Sequence, residues 1–69
     1  MKATLFHDSL QFHINELSSK QIELLKETAN QFKFGVYEDK EHFIVYYPLE
    51  KLSSFLYELL EVEIKITLY

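Results

Sequence analysis

The sequence predicts an α+β fold with the element order (β)βαββαβ, and three patterns predict it. Leu10-Gln11-Phe12-His13-Ile14-Asn15 and Val62-Glu63-Ile64-Lys65-Ile66-Thr67-Leu68-Tyr69 alternate apolar and polar residues, the period of a strand buried on one side. Two intervening stretches repeat their apolar residues every three or four positions, the period of an amphipathic helix. Two β-prone runs, Phe34–Tyr37 and His42–Tyr47, lie between those helices.

Ala3–Phe6 is short enough to be an optional first strand, with His7-Asp8-Ser9 as the turn, because Asp and Ser bond their own backbone in turns. In the strand that follows, Leu10, Phe12 and Ile14 point inward by alternation. Ser18 is an N-cap, and Gln21 three residues on completes a capping box. Leu17 and Ile22 occupy the positions of a hydrophobic staple. The first helix then runs from Ser19 to Phe32, burying Ile22, Leu25, Ala29 and Phe32 and exposing Glu23 and Lys26.

Glu38-Asp39-Lys40-Glu41 is polar and short, so the two β-prone runs form a hairpin, and Gly35 marks a bulge or a close backbone approach. Pro48 suits the first turn of the second helix, where a missing N–H costs nothing. Leu49, Leu52, Leu56 and Leu59 form its buried stripe, widened by Phe55 and Leu60. The last strand turns Val62, Ile64, Ile66 and Leu68 inward. Short right-handed connections close this order as a ferredoxin-like two-layer sandwich, an antiparallel sheet with two helices on one face. If the first hairpin is real, the sheet has a strand order of its own.

With 69 residues, the chain is one domain, residues 1–69. A core this small supplies about 3–5 kcal/mol and usually has a staple. No cysteine is present, which leaves apolar content or a partner surface. No apolar run reaches the ~18 residues of a membrane span, and no signal-peptide core is visible, so the expected location is cytoplasmic. The net charge is −4 and arginine is absent. Arginine is the usual fork for phosphate and base edges, so nucleic acid is not the expected partner.

Candidate chemistry is sparse. His7, His13 and His42 lack zinc-ligand spacing, although His7 and His13 face each other if the first hairpin forms, and such a pair would titrate near neutral pH. Glu38, Asp39 and Glu41 gather at a hairpin tip, where carboxylates are solvated rather than tuned for acid–base work. No glycine-flanked nucleophile and no phosphate loop is present. No catalytic residue, cofactor or metal is therefore expected, and the protein is expected not to be an enzyme.

The aromatic residues carry more. Tyr46 and Tyr47 are adjacent in one strand and point to opposite faces. If Phe43, Val45 and Tyr47 face the helices, His42, Ile44 and Tyr46 lie on the open face, joined by Gln11, His13, Lys65, Thr67 and Tyr69. Both faces of this strand carry apolar residues, so the sequence leaves its orientation open. This mixture of aromatic and polar groups is typical of protein–protein contacts. RNA-recognition modules also stack bases on an open sheet, but Lys40–Tyr47 lacks their glycines and Gln11 stands where an aromatic is needed. The metal-chaperone and acylphosphatase types fail for want of a Cys pair and of an arginine.

The expected function is a non-enzymatic protein-binding module or inhibitor that masks a partner macromolecule. Its contact residues are expected to be His13, Tyr37, Glu38, Asp39, Glu41, Ile44, Tyr46, Lys65 and Tyr69, an open sheet face with an acidic rim. Small acidic inhibitors of phages and mobile elements, anti-CRISPR and anti-restriction proteins among them, are similar in size and charge; this likeness is one of type, with no motif behind it. Two other readings are a homo-oligomer paired through the Val62–Tyr69 edge and a small-ligand sensor around His13, Tyr46 and Lys65.

Overall fold

The structure, a computed structural model, describes all residues from Met1 to Tyr69. Its strands are β1 (Lys2–Phe6), β2 (Ser9–His13), β3 (Gly35–Glu38), β4 (His42–Tyr46) and β5 (Thr67–Leu68); its helices are α1 (Ser19–Gln31) and α2 (Leu52–Glu61). Short 3-10 turns at Ile14–Glu16 and Leu49–Lys51 precede the two helices. No helix is long and apolar enough to cross a membrane.

The five strands form one mixed sheet in the order β3-β4-β2-β1-β5. This corrects the expected antiparallel ferredoxin-like sheet in two respects. First, the optional hairpin is real: β1 pairs with β2 through the tight turn at His7 and Asp8, with Leu5 opposite Leu10. Second, β1 thereby occupies the edge of β2 that the last strand would otherwise take, and β5 adds beside β1 in parallel.

The core follows from the alternation. Leu10, Phe12, Phe43 and Val45 have no solvent exposure, and Ala3 is nearly as buried. They form one cluster with Leu25 and Ala29 of α1, Phe55 and Leu59 of α2, and Ile64. Phe12 meets Phe43 edge to face, with ring centroids 6.2 Å apart. A second aromatic group, Phe32, Phe34 and Phe55, joins the end of α1 to α2, with centroids 5.1 to 5.8 Å apart. Such pairs add to the area that their burial removes from water.

α1 starts where its sequence signals say. The Ser18 hydroxyl accepts from the Gln21 N–H, and the Gln21 side chain accepts from the Ser18 N–H at 2.8 Å. Leu17 and Ile22 of the expected staple both pack against the core. Thr28 adds an unforeseen buried position; its hydroxyl is satisfied by the Leu24 carbonyl one turn back.

Both helices end in a six-residue Schellman motif. The Phe34 N–H donates to the Ala29 carbonyl and the Ile64 N–H to the Leu59 carbonyl, with Lys33 and Glu63 in the left-handed region at φ 61° and 63°. The closing apolar residue of each motif, Phe34 or Ile64, is buried, as the motif's hydrophobic contact requires. Left-handed backbone costs a side-chain-bearing residue roughly 1–2 kcal/mol, part of which glycine gives back through its freer unfolded chain. Lys33→Gly and Glu63→Gly are each expected to stabilise the domain by about 0.5–1 kcal/mol, a rise in melting temperature of roughly 2–8 °C. A fall in melting temperature for both would mean that the two positions are not left-handed.

Glu63 also explains why the last strand is short. Its turn breaks the alternation of Val62–Tyr69, so the regular strand is confined to Thr67 and Leu68 with Tyr69 bonded beyond it, and Val62 is exposed. Ile14 likewise leaves the strand for a 3-10 turn and is only half-buried. Pro48 is extended and precedes the 3-10 turn rather than opening α2. The α2 stripe is correspondingly rotated: Phe55 and Leu59 are fully buried, whereas Leu49 and Leu60 are 58% and 54% exposed. Gly35 makes neither a bulge nor a tight approach. Its pairing with β4 is regular, and a Cβ there would meet Tyr46 at 3.9 Å, an ordinary contact.

Candidate functional site

The cross-strand registers arrange the other face of the sheet in rows. Phe6, Ser9, Tyr46 and Gly35 lie side by side across β1, β2, β4 and β3. Thr4, Gln11, Ile44 and Tyr37 form the next row. In the third, His13 stands opposite His42, and Lys2 follows in the same β1–β2 register. One end of the face is therefore aromatic and the other titratable.

The aromatic end is exposed because small neighbours separate its large side chains. Phe6 and Tyr46 flank Ser9, and the Tyr46 ring reaches over Gly35. Phe6, Tyr37 and Tyr46 keep 45%, 46% and 44% of their surface in contact with solvent. Phe6 is the residue that sequence reasoning missed. Leu5 and Phe6 are both apolar, so no alternation marks which of them faces outward; only the pairing of Phe6 with Ser9 does so.

At the polar end His13 and His42 are cross-strand neighbours, with ring centroids 5.4 Å apart. The expected pairing of His13 with His7 does not occur, because His7 sits in the hairpin turn. No group of three histidines, cysteines or carboxylates converges to hold a metal ion. Asp39 lies beside His42, 3.9 Å from its Nδ1. The Asp39 carboxylate accepts from the backbone N–H groups of Glu41 and His42 at 2.8 and 2.7 Å. Those two bonds are the main reason that its pKa is lowered, with the charge of His42 a smaller cause.

The expected contact residues thus divide. His13, Tyr37, Ile44 and Tyr46 share the open face. Tyr69 continues the β5 ladder, its N–H donating to the Ala3 carbonyl, and Lys2 Nζ lies 5.8 Å from its ring centroid. Glu38 is opposite Phe43 on the helix side, ion-paired with Lys26 of α1 at 2.8 Å. Asp39 is engaged in its own turn, so among the rim acids only Glu41 has a carboxylate without a protein partner. Lys65 precedes β5, beside a groove lined by Leu56, Leu60, Ile64 and Ile66, and joins no strand. The acidic rim is therefore weaker than the sequence suggests, and His13, Tyr37, Ile44 and Tyr46 are the candidate residues that the face itself brings together. No family model matches the chain, and no match exists among the curated proteins or the solved structures compared with it.

Proposed function

We propose that this chain is a non-enzymatic protein-binding module that masks a partner macromolecule with the helix-free face of its sheet. The observation that carries this reading is the exposure, on one continuous face, of Phe6, Tyr37 and Tyr46 around Ile44. Aromatic groups of this kind are enriched in protein interfaces and account for much of their binding energy. The absence of arginine and the net charge of −4 favour a protein over a nucleic acid, whose binding draws on cationic contacts to phosphate. An inhibitor of the phage or mobile-element type fits the size and charge. We read the architecture as a ferredoxin-like sandwich with β1 inserted between β2 and β5, since the remaining strands keep that order.

The test is a tagged pull-down from lysate of the source organism or its host, treated with nuclease and read by mass spectrometry, with Tyr46→Ala in parallel. Tyr46→Ala is expected to melt close to wild type, because Tyr46 is 44% exposed and lies outside the core cluster, and to lose the captured protein. Equal capture by wild type and a folded Tyr46→Ala variant would remove the sheet face as the binding surface.

A further inference from the structure

β3 is an unprotected sheet edge. It is the outermost strand, and all four of its residues are exposed, among them Val36 and Tyr37. It has no proline, and it follows β4 in unbroken register. Proline, bulges and covering loops are usual devices that stop an edge from pairing with another chain, and none of these three is present here. The strand's one inward-turned charge, Glu38, is held by Lys26. The opposite edge, β5, has only two residues in regular register, a shorter template for a second chain than the four residues of β3.

The free backbone groups of β3 can be assigned. The Asp39 N–H donates to the His42 carbonyl at 2.9 Å. Antiparallel ladders alternate, so Gly35 and Tyr37 also turn their backbone groups toward β4, and Val36 and Glu38 turn theirs outward. A second β3 running antiparallel, centred on Tyr37, sets Val36 opposite Glu38 of the other copy at both ends. Each such pair exchanges two hydrogen bonds, which satisfies every outward N–H and C=O of the strand. The register centred on Val36 would need the Phe34 N–H, and that group already donates to the Ala29 carbonyl.

Charge favours the Tyr37-centred register as well. It brings the hairpin tip, where Asp39 and Glu41 outnumber Lys40, alongside Lys33 of the second copy, and symmetry repeats this at the other end. We infer that β3 pairs with β3 of a second copy of this chain, antiparallel and centred on Tyr37, to make one continuous sheet. The Tyr37 side chains then meet across the axis on the open face, with a Tyr46 on either side, so the aromatic surface of one copy continues into that of the other.

Light scattering from micromolar to millimolar protein tests this. The mass is expected to rise from the 8.3 kDa of one chain toward twice that value. Val36→Pro removes an outward N–H without touching the β4 ladder; it is expected to keep the wild-type circular dichroism and remain at the mass of one chain. A cysteine is a second probe, because the chain has none. Non-hydrogen-bonded neighbours bring Cα atoms to about 4.5 Å, within disulfide reach. Mild oxidation should therefore link Tyr37→Cys into a dimer and leave Tyr57→Cys, on an exposed position of α2, mainly unlinked. A single-chain mass at every concentration, a folded Val36→Pro that dimerises like wild type, or equal linkage at the two cysteine positions would overturn the inference. If Val36→Pro does not fold, the cysteine pair decides.

Discussion

Phe12→Ala is expected to leave no stably folded domain at room temperature. The Phe12 ring is wholly buried in β2, edge to face with Phe43 and part of the cluster that joins the sheet to both helices. Removing a buried phenyl ring costs about 3–5 kcal/mol through lost transfer energy and the cavity left behind. A domain of this size without a staple has only about that much to lose. Circular dichroism should show the loss directly, and amide exchange should show protection gone throughout the sheet. Leu49→Ala is the contrast. Helical spacing places Leu49 in the core, yet it is 58% exposed, and its loss should change stability by no more than about 0.5 kcal/mol. If Phe12→Ala melts like wild type, or Leu49→Ala unfolds the domain, the core lies elsewhere.

The second large effect is expected from a single oxygen atom. The Tyr47 hydroxyl shares its one proton between the Phe6 carbonyl at 2.8 Å and the Ser9 carbonyl at 3.0 Å, tying the end of β4 to both strands of the first hairpin. Tyr47→Phe keeps the ring in the core and leaves both carbonyls without that donor, a cost of about 1–3 kcal/mol. The same contact has a pH signature. Burial first, and the nearby Asp8 carboxylate second, push the Tyr47 pKa above the ordinary tyrosine value. The folded state thus holds the phenolic proton more tightly than the unfolded chain does. The resulting stability is fully present below the unfolded value of about 10 and is lost as pH rises through the folded one. Urea midpoints for wild type and Tyr47→Phe should therefore differ most near neutral pH and converge in strong alkali. A difference independent of pH would mean that the hydroxyl is not buried against those carbonyls.

Alternation divides the residues of a strand between two faces without reference to its neighbours, so Gln11 and His13 are legible as open-face residues once Leu10 and Phe12 turn into the core. It also requires the adjacent pair Tyr46 and Tyr47 to divide between the faces. Both faces of that strand carry apolar residues, however, so only the structure decides that Tyr47 enters the core and Tyr46 meets solvent. Alternation does not say which strand lies alongside. His13 faces His42 rather than His7, and Glu38 goes to Lys26 rather than to the rim, because both outcomes depend on residues distant in the chain.

The sequence by itself determined what short-range physics controls. The capping box at Ser18 and Gln21 placed the start of α1, and the alternation through Leu10 and Phe12 placed β2 and its buried side. The polar run before His42 placed the β3–β4 hairpin. Tertiary structure decided the rest. β1 was short enough to be optional in the sequence, and only pairing with β2 and β5 on its two sides makes it an interior strand. The terminal run alternates perfectly as a sequence, yet α2 ends in a left-handed turn at Glu63 that buries Ile64, so only Thr67 and Leu68 remain in regular register. In both cases the local pattern was compatible with more than one structure, and contacts between residues far apart in the chain selected among them.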